Sequence, residues 1–138
     1  MSEWTAVDSH FYRFEDDVFF WRPCGEVRGE HAQLVCQCLE QILERCGYAL
    51  WLVDAAGSVA LGYEARRVYA AWFAQQPRRI AIGSFKSPTA ASTTAGLLLR
   101  GIQIVGGREV PLNLSDDEAT ARRYLEKKRA QLVPIHKP

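Results

Sequence analysis

The sequence lacks any long hydrophobic run. None of its apolar stretches approaches the roughly 20 residues that a membrane-spanning helix needs, so we expect no membrane span. Residues 1–8 also lack the basic start and the apolar segment of a secretory signal. We therefore expect a cytoplasmic protein, in a compartment where thiols stay reduced.

An excess of charge of one sign is also absent. The chain has 17 lysines and arginines against 16 aspartates and glutamates, a net charge of +1. A balance so close to neutral gives no global electrostatic reason to bind nucleic acid or an anionic membrane. Acidic residues are mixed among the basic pairs Arg66-Arg67 and Arg78-Arg79 and the basic run 122–129, which is typical of solvated helix faces. We expect no nucleic-acid partner.

Cysteine is scarce as well, and its spacing does not suggest a metal site. The four cysteines are Cys24, Cys36, Cys38 and Cys46. Cys36 and Cys38 are two residues apart, so on a helix their side chains point to different sides and do not easily share a tetrahedral metal. We predict small, buried or half-buried thiols, with no metal and no cofactor.

The length and composition that remain are those of one globular domain. The chain has 138 residues, of which 48% are hydrophobic and 24% are charged. These fractions are ordinary for a soluble protein and exclude a disordered or fibrous chain. We predict a single domain over residues 10–132, with short flexible termini at 1–9 and 133–138.

The first part of this domain is predicted to be a β-hairpin, a helix and a strand. Aromatic and β-branched residues lie on both sides of the acidic turn Glu15-Asp16-Asp17, a pattern typical of a hairpin. Over residues 30–45 apolar side chains recur every three or four positions, which indicates an amphipathic helix that Gly47 ends. Residues 48–53 form a continuous apolar run, typical of a strand buried on both faces.

Helices and short strands alternate in the rest of the chain. We predict a helix at 63–76, a strand at 79–83, a helix from Ser87-Pro88 to about residue 101, an edge strand at 110–114, and a capping box at 115–118 that starts a last helix. The order β-β-α-β-α-β-α-β-α predicts an α/β fold. Its sheet would be mainly parallel after an antiparallel opening hairpin, with helices chiefly on one face.

Three segments resemble the STAS superfamily. They are residues 18–27 (VFFWRPCGEV), 50–54 (LWLVD) and 115–125 (SDDEATARRYL). The superfamily contains anti-sigma-factor antagonists, sulfate-transporter C-terminal domains and SEC14-like lipid-binding relatives. The resemblance implies a STAS-like architecture.

The family's phosphorylation motif is not preserved in this chain. Family members carry Asp-Ser-(small)-Gly at the start of the second helix, and a partner kinase phosphorylates the serine. The corresponding positions here are Gly62, Tyr63 and, for the glycine, Ala65. The nearest remaining hydroxyl is that of Ser58, which we take as a weak candidate phosphoacceptor.

Candidate binding residues follow two of the predicted strands. Asp54, Ser58, Gly62 and Tyr63 lie between a strand end and a helix start, and Lys86 and Ser87 follow the next strand. Ligands of open α/β sheets bind at such strand ends, and a helix N-terminus there favours anions. The alternatives are a solvent-exposed turn in which Asp54 bonds its own loop amides, and chance composition around Lys86.

The titratable residues do not suggest a catalytic set. His10, His31 and His136 are scattered along the sequence, and Cys24 has no base in a recognisable local signature. The acidic clusters at 15–17 and 116–118 fit a hairpin turn and a helix cap, since neither has the ligand spacing of a calcium loop. We expect the protein not to be an enzyme.

These observations lead to two functional hypotheses. By resemblance, the chain would be a non-enzymatic regulatory module that binds a protein partner of the anti-sigma-factor or regulatory-kinase type. The alternative is a carrier of a small apolar ligand or lipid, similar to the SEC14-like relatives, which requires an apolar cavity between helix and sheet. A homodimer is compatible with both hypotheses.

Overall fold

The computed structural model describes residues 3–75, 79–86 and 110–133. In these residues it contains eight strands and three helices. The strands are β1 (Thr5–Val7), β2 (His10–Glu15), β3 (Val18–Arg22), β4 (Gly25–Val27), β5 (Tyr48–Asp54), β6 (Ser58–Leu61), β7 (Arg79–Phe85) and β8 (Leu112–Ser115). The helices are α1 (Gly29–Cys46), α2 (Tyr63–Gln75) and α3 (Glu118–Leu132). The helix predicted at 87–101 lies outside the described residues.

The main sheet has six strands and is mixed. Its order is β1-β2-β3-β5-β7-β8; the first two pairings are antiparallel, and β3–β5, β5–β7 and β7–β8 are parallel. The α/β class is therefore confirmed. A second, parallel sheet of β4 and β6 was not predicted, and it places Ser58 at the start of a strand rather than in a loop.

The opening hairpin forms as predicted, with Asp16 in the left-handed region at φ 56°. Its second strand, β3, is buried on both faces. Phe19 and Trp21 belong to one hydrophobic cluster, whereas Val18 and Phe20 belong to the other. The aromatic residues of β3 therefore do not form an exposed patch.

Helices cover both faces of the sheet. Helices α1 and α2 pack on the face that carries Phe19, Trp21 and Trp51. Helix α3 packs through Ala121, Leu125 and Leu132 on the opposite face. Two of the three described helices share one face and α3 covers the other, while the remaining predicted helix, at 87–101, lies outside the described residues.

The helix ends show which sequence signals were correct. Gly47 ends α1 at φ 83° and donates its amide hydrogen to the Leu43 carbonyl at 2.8 Å, as predicted. The cap of α3 is Asp117 rather than Ser115, because Ser115 is still part of β8. The Asp117 carboxylate accepts the Thr120 amide at 2.7 Å, and this bond lowers the pKa of Asp117.

The ordered domain begins earlier than residue 10. Thr5–Val7 pairs with β2, and the Trp4 ring lies 4.9 Å from the Phe20 ring in an edge-on contact. Residues 5–7 therefore form an edge strand outside the predicted bounds of 10–132. Such a short edge strand has no hydrophobic alternation that a sequence pattern could reveal.

The four cysteines are free thiols. Cys36 and Cys38 are buried in α1, and burial raises their pKa values to about 12 and about 11. Cys24 is exposed and Cys46 is half-buried. None of the helices in the described ranges combines the length and apolar character needed to cross a membrane.

Candidate functional site

Two of the predicted site residues, Asp54 and Lys86, lie where the parallel strands β5 and β7 end. Asp54 is the last residue of β5 and pairs in register with Phe85 of β7, directly before Lys86. The structure therefore brings Asp54 and Lys86 to one edge of the sheet, as the sequence predicted. Ser87 lies outside the described residues.

The Asp54 carboxylate contacts a nearby backbone amide and an arginine side chain. One carboxylate oxygen accepts the Ala56 amide at 3.1 Å, and the other lies 3.3 Å from Arg22 Nε. Its side chain is 13% exposed. The local-turn interpretation of Asp54 is thus the one that the geometry favours, since the carboxylate orders the β5–β6 turn.

Gly62 lies where the backbone before α2 comes close to the backbone of β4. Its amide donates to the Val27 carbonyl at 2.9 Å, which joins the start of α2 to β4. A Cβ atom at Gly62 would lie 3.3 Å from that same oxygen, closer than almost all Cβ contacts. A side chain at this position would therefore require β4 to shift by a few tenths of an ångström.

Tyr63 is the most exposed large hydrophobic side chain in the described residues, at 59%. It opens α2, and the Arg67 guanidinium carbon lies 5.8 Å from the centre of its ring. Arg67 also forms an ion pair with Glu64 at 3.6 Å. These three side chains form a projecting surface, which we call the Tyr63 surface.

The backbone conformation and the amide hydrogen bond of Lys86 fix its position. Its φ is 58°, in the left-handed region that residues other than glycine rarely adopt. Its amide donates to the Ser115 carbonyl at 3.1 Å, which ties the end of β7 to the end of β8. The ammonium group is 5.8 Å from the Phe85 ring, so the exposed Lys86 presents a positive charge at this edge.

A small cavity lies beneath the same edge. Its volume is about 50 Å³; it is partly open, and its lining residues come from the main sheet, from α2 and from the β4–β6 region. Most of its lining is apolar; the residues are Trp21, Pro23, Val27, Trp51, Val53, Ala55, Ser58, Leu61, Tyr69 and Ser84. Ser58 thus lines this cavity as a half-buried residue.

The structure also forms a histidine pair that the sequence analysis missed. His10 and His31 are 0% and 2% exposed, and their ring centres are 4.3 Å apart. They are 21 positions apart in the sequence, on a strand and a helix, and no spacing rule links such positions. Their burial next to each other is a tertiary feature.

Hydrogen bonds occupy both nitrogens of each ring. His10 Nδ1 accepts the Cys24 amide at 2.9 Å, so its proton is on Nε2, which donates to the Glu26 carbonyl at 3.1 Å. His31 Nδ1 accepts the Arg28 amide at 3.0 Å, and its Nε2 bonds the Asp8 carboxylate at 2.7 Å. The pair therefore joins the β1–β2 turn to β4 and to the start of α1.

Acidification is expected to destabilise the fold through His10. Burial, and secondarily the proximity of His31 and Arg28, lower the pKa of His10, although Asp8 and the Glu26 carbonyl oppose this shift. The unfolded chain therefore binds the His10 proton at a higher pH than the folded chain does. The free energy of unfolding should fall as the pH drops from about 7 to about 5, and urea titrations at both pH values measure it.

The His10→Gln variant is the control for that experiment. It should be less stable at neutral pH, because two buried hydrogen bonds are perturbed. Its stability should also change less between the two pH values than that of the parent. An equal pH dependence in both proteins would contradict the assignment to His10.

The described residues contain no group of three or more histidine, cysteine or acidic side chains that could hold a metal ion.

Comparison with models of known protein families gives no match. Comparison with curated proteins gives none either. The similarity to the STAS superfamily remains a prediction from the three segments quoted above.

Proposed function

We propose that this protein is a non-catalytic regulatory module that binds a protein partner through the Tyr63 surface. By its resemblance to STAS domains, the partner would be of the anti-sigma-factor or regulatory-kinase type. The observation that carries the proposal is the 59% exposure of Tyr63 at the start of α2. Tyrosine and arginine are both enriched among the residues that contribute most of the binding energy at protein interfaces.

The state of the histidines supports a non-catalytic function. A general base needs a ring nitrogen that can take a proton from a substrate. Both nitrogens of His10 and of His31 are already bonded within the protein, and both rings are buried. Cys24 is exposed, but its contact with His10 is through its backbone amide.

The Tyr63→Asp variant tests the partner surface. We expect quantitative affinity capture from the native host to enrich a partner protein when the parent protein is the bait. With Tyr63→Asp as the bait, the amount of that partner should fall at least about tenfold. The thermal melt should be nearly unchanged, since substitutions at exposed positions change stability by about 0.5 kcal/mol or less. The intact mass of the recovered bait would report phosphorylation at Ser58 or elsewhere.

Val133→Asp is a matched control. Val133 is also an exposed apolar residue, at 42%, but it caps the C-terminal end of α3. The Val133→Asp bait should capture the same protein as the parent bait. If every captured protein is retained by Tyr63→Asp, or is lost equally with Val133→Asp, the proposed surface is wrong.

The lipid-carrier hypothesis gains no support from the cavity. Sites for drug-sized ligands have volumes of about 300–1,000 Å³. The cavity between α2 and the sheet measures about 50 Å³, which is too small for an acyl chain. Only a much smaller ligand fits there.

A further inference from the structure

The buried histidine pair is hydrogen-bonded to β4 at both ends of the strand and in its middle. The amide of Cys24, directly before β4, donates to His10 Nδ1 at 2.9 Å, and the Glu26 carbonyl accepts His10 Nε2 at 3.1 Å. The amide of Arg28, directly after β4, donates to His31 Nδ1 at 3.0 Å. The position of β4 therefore depends on the hydrogen-bonding state of both rings.

Hydrogen bonds also join β4 to the start of α2. Strands β4 and β6 form a parallel pair, and the Val27 carbonyl accepts the amide of Gly62, the residue before α2, at 2.9 Å. The start of α1 contacts α2 as well, since a Cβ atom on Gly29 would be only 3.0 Å from Glu64 Cβ. Glu64 belongs to the Tyr63 surface. A displacement of β4 or of the first residues of α1 would therefore displace this surface.

Protonation of either ring removes a hydrogen-bond acceptor for the backbone at an end of β4. A neutral imidazole accepts through one nitrogen, whereas an imidazolium has two donors and no acceptor. The added proton must go to Nδ1, because the amide bonds place the existing proton of each ring on Nε2. Protonated His10 would therefore point an N–H group at the Cys24 amide, and protonated His31 would point one at the Arg28 amide.

Charged groups lie around His31 on two sides. From the β1–β2 turn, the Asp8 carboxylate accepts His31 Nε2 at 2.7 Å and the Arg28 guanidinium at 3.2 Å. At the start of α1, the Glu30 carboxylate lies 3.0 Å from Arg28 Nε. The hydrogen bond from His31 is the largest cause that lowers the pKa of Asp8, so this carboxylate remains ionised where histidines titrate. A positive charge on His31 would thus have a carboxylate next to it.

Around His10, by contrast, the described residues supply backbone hydrogen bonds and ring contacts. The Trp21 ring of β3 lies 5.4 Å from the His10 ring, and the His31 ring lies 4.3 Å from it. Glu26 contributes its carbonyl, whereas its carboxyl carbon lies 3.9 Å from the Cβ position at Gly62. Burial is the main cause that lowers the pKa of His10. A proton on His10 is therefore unfavourable unless β4 moves and water reaches the ring.

We propose that the histidine pair is a pH-sensitive switch for the Tyr63 surface. While both rings are neutral, they fix β4, and β4 fixes the start of α2. Protonation at Nδ1 breaks an amide bond, releases β4 and displaces Gly62 together with the Tyr63 surface, while the centre of the main sheet stays folded. The effect on a partner rests on the proposed function, whereas the movement of β4 does not.

An NMR titration of the full chain from about pH 7.5 to about pH 5.5 tests the switch. Ring-nitrogen shifts report the protonation of each histidine, and amide exchange rates, corrected for the direct effect of pH, report opening. The protection of the Cys24, Arg28 and Gly62 amides should fall at least about tenfold as the rings take up protons. Amides at the centre of β5 should remain far better protected than these three at every pH, because the opening is local.

Single glutamine variants assign the response to each ring. Glutamine has a donor and an acceptor but takes up no proton in this range. His10→Gln should remove most of the pH response at Cys24, and His31→Gln should remove most of the response at Arg28. His136→Gln is the control, because it removes the third histidine of the chain, and it should retain the full response. A cooperative melt verifies that each variant is folded, and the titration of the parent is decisive without the variants.

Three results would overturn the proposal. The first is a pair of rings that stay neutral down to about pH 5.5, or that protonate while Gly62 keeps its protection. The second is exchange at the centre of β5 that becomes as fast as at Gly62, since the opening would then be global. The third is an undiminished pH response in both His10→Gln and His31→Gln. Failure of the Tyr63→Asp capture experiment would instead remove the proposed function and leave these NMR results unaffected.

Discussion

Replacing Asp17 by asparagine is expected to lower the free energy of unfolding by about 2 kcal/mol. Asp17 lies in the turn of the opening hairpin and is 7% exposed. Both of its carboxylate oxygens accept hydrogen bonds from Arg129 of α3, at 2.6 and 2.7 Å, and one of them also accepts the Tyr48 hydroxyl at 2.6 Å. Asparagine removes one of the two carboxylates that pair with the half-buried Arg129, so that only Glu126 remains, and it weakens the hydrogen bonds from Arg129 and Tyr48.

The neighbouring residue provides a matched control for this prediction. Asp16→Asn makes the same chemical change one position earlier, on an exposed side chain whose left-handed backbone asparagine tolerates well. Urea denaturation should show a large loss for Asp17→Asn and almost none for Asp16→Asn. Equal effects would mean that the Asp17–Arg129 pair does not stabilise the fold.

The Asp17–Arg129 ion pair should stabilise the folded protein only at pH values above the acidic range. Burial alone raises the pKa of Asp17, but the bonds from Arg129 and Tyr48 outweigh it and hold the pKa below its usual value. A lowered folded-state pKa stabilises the protein above the unfolded pKa, near about 4, and this contribution is lost as the pH falls through the folded value. Below about pH 4 the stability of Asp17→Asn should therefore depend less on pH than that of the parent.

Replacing Gly83 by alanine is expected to cost about 1–3 kcal/mol, and valine more. Gly83 lies on β7 beneath α3, where a Cβ atom would be 3.1 Å from the Ala121 carbonyl oxygen and 3.2 Å from Leu125 Cγ. The first of these atoms belongs to the helix backbone, so a rotamer change alone cannot make room. The added carbon must push α3 away from the sheet.

Chemical denaturation and near-ultraviolet circular dichroism would measure this effect. Ala119→Val is the control, because it adds carbon to the exposed side of the same helix. We expect Gly83→Val to lower the denaturation midpoint strongly and to change the aromatic signal, whereas Ala119→Val should change both only slightly. A fully stable Gly83→Val protein would show that α3 does not approach the sheet as closely as described.

Local sequence patterns were sufficient to predict the elements that are long and periodic. The apolar spacing of α1, the left-handed cap at Gly47 and the continuous run of β5 are each written within one stretch of sequence, and all three were predicted close to their observed bounds. Strands β4 and β6 escaped prediction because three or four residues are too few to show a period.

The features that a local pattern cannot encode are the ones that join distant segments. Ala121, Leu125 and Leu132 show that α3 has an apolar side, but not which face of the sheet it covers. The pairing of Asp17 with Arg129 spans 112 residues, and neither side chain indicates its partner. For the candidate site, the sequence predicted that Asp54 and Lys86 follow neighbouring strand ends, which the register of β5 and β7 confirms, and it named Tyr63 as a candidate. The cavity depends on tertiary packing and was raised only as a requirement of the carrier hypothesis.

The position of α3 has a consequence for how the chain is made. In the described residues, α3 is the helix that covers the sheet face formed by Phe20, Leu50, Leu52 and Phe85, and it is encoded last. During translation this apolar face is complete in sequence long before residue 132 leaves the ribosome. A nascent chain, or one cut short by a premature stop codon, would expose that face to chaperones and to other unfinished chains. Emergence of α3 should therefore mark the point at which this face no longer needs such protection.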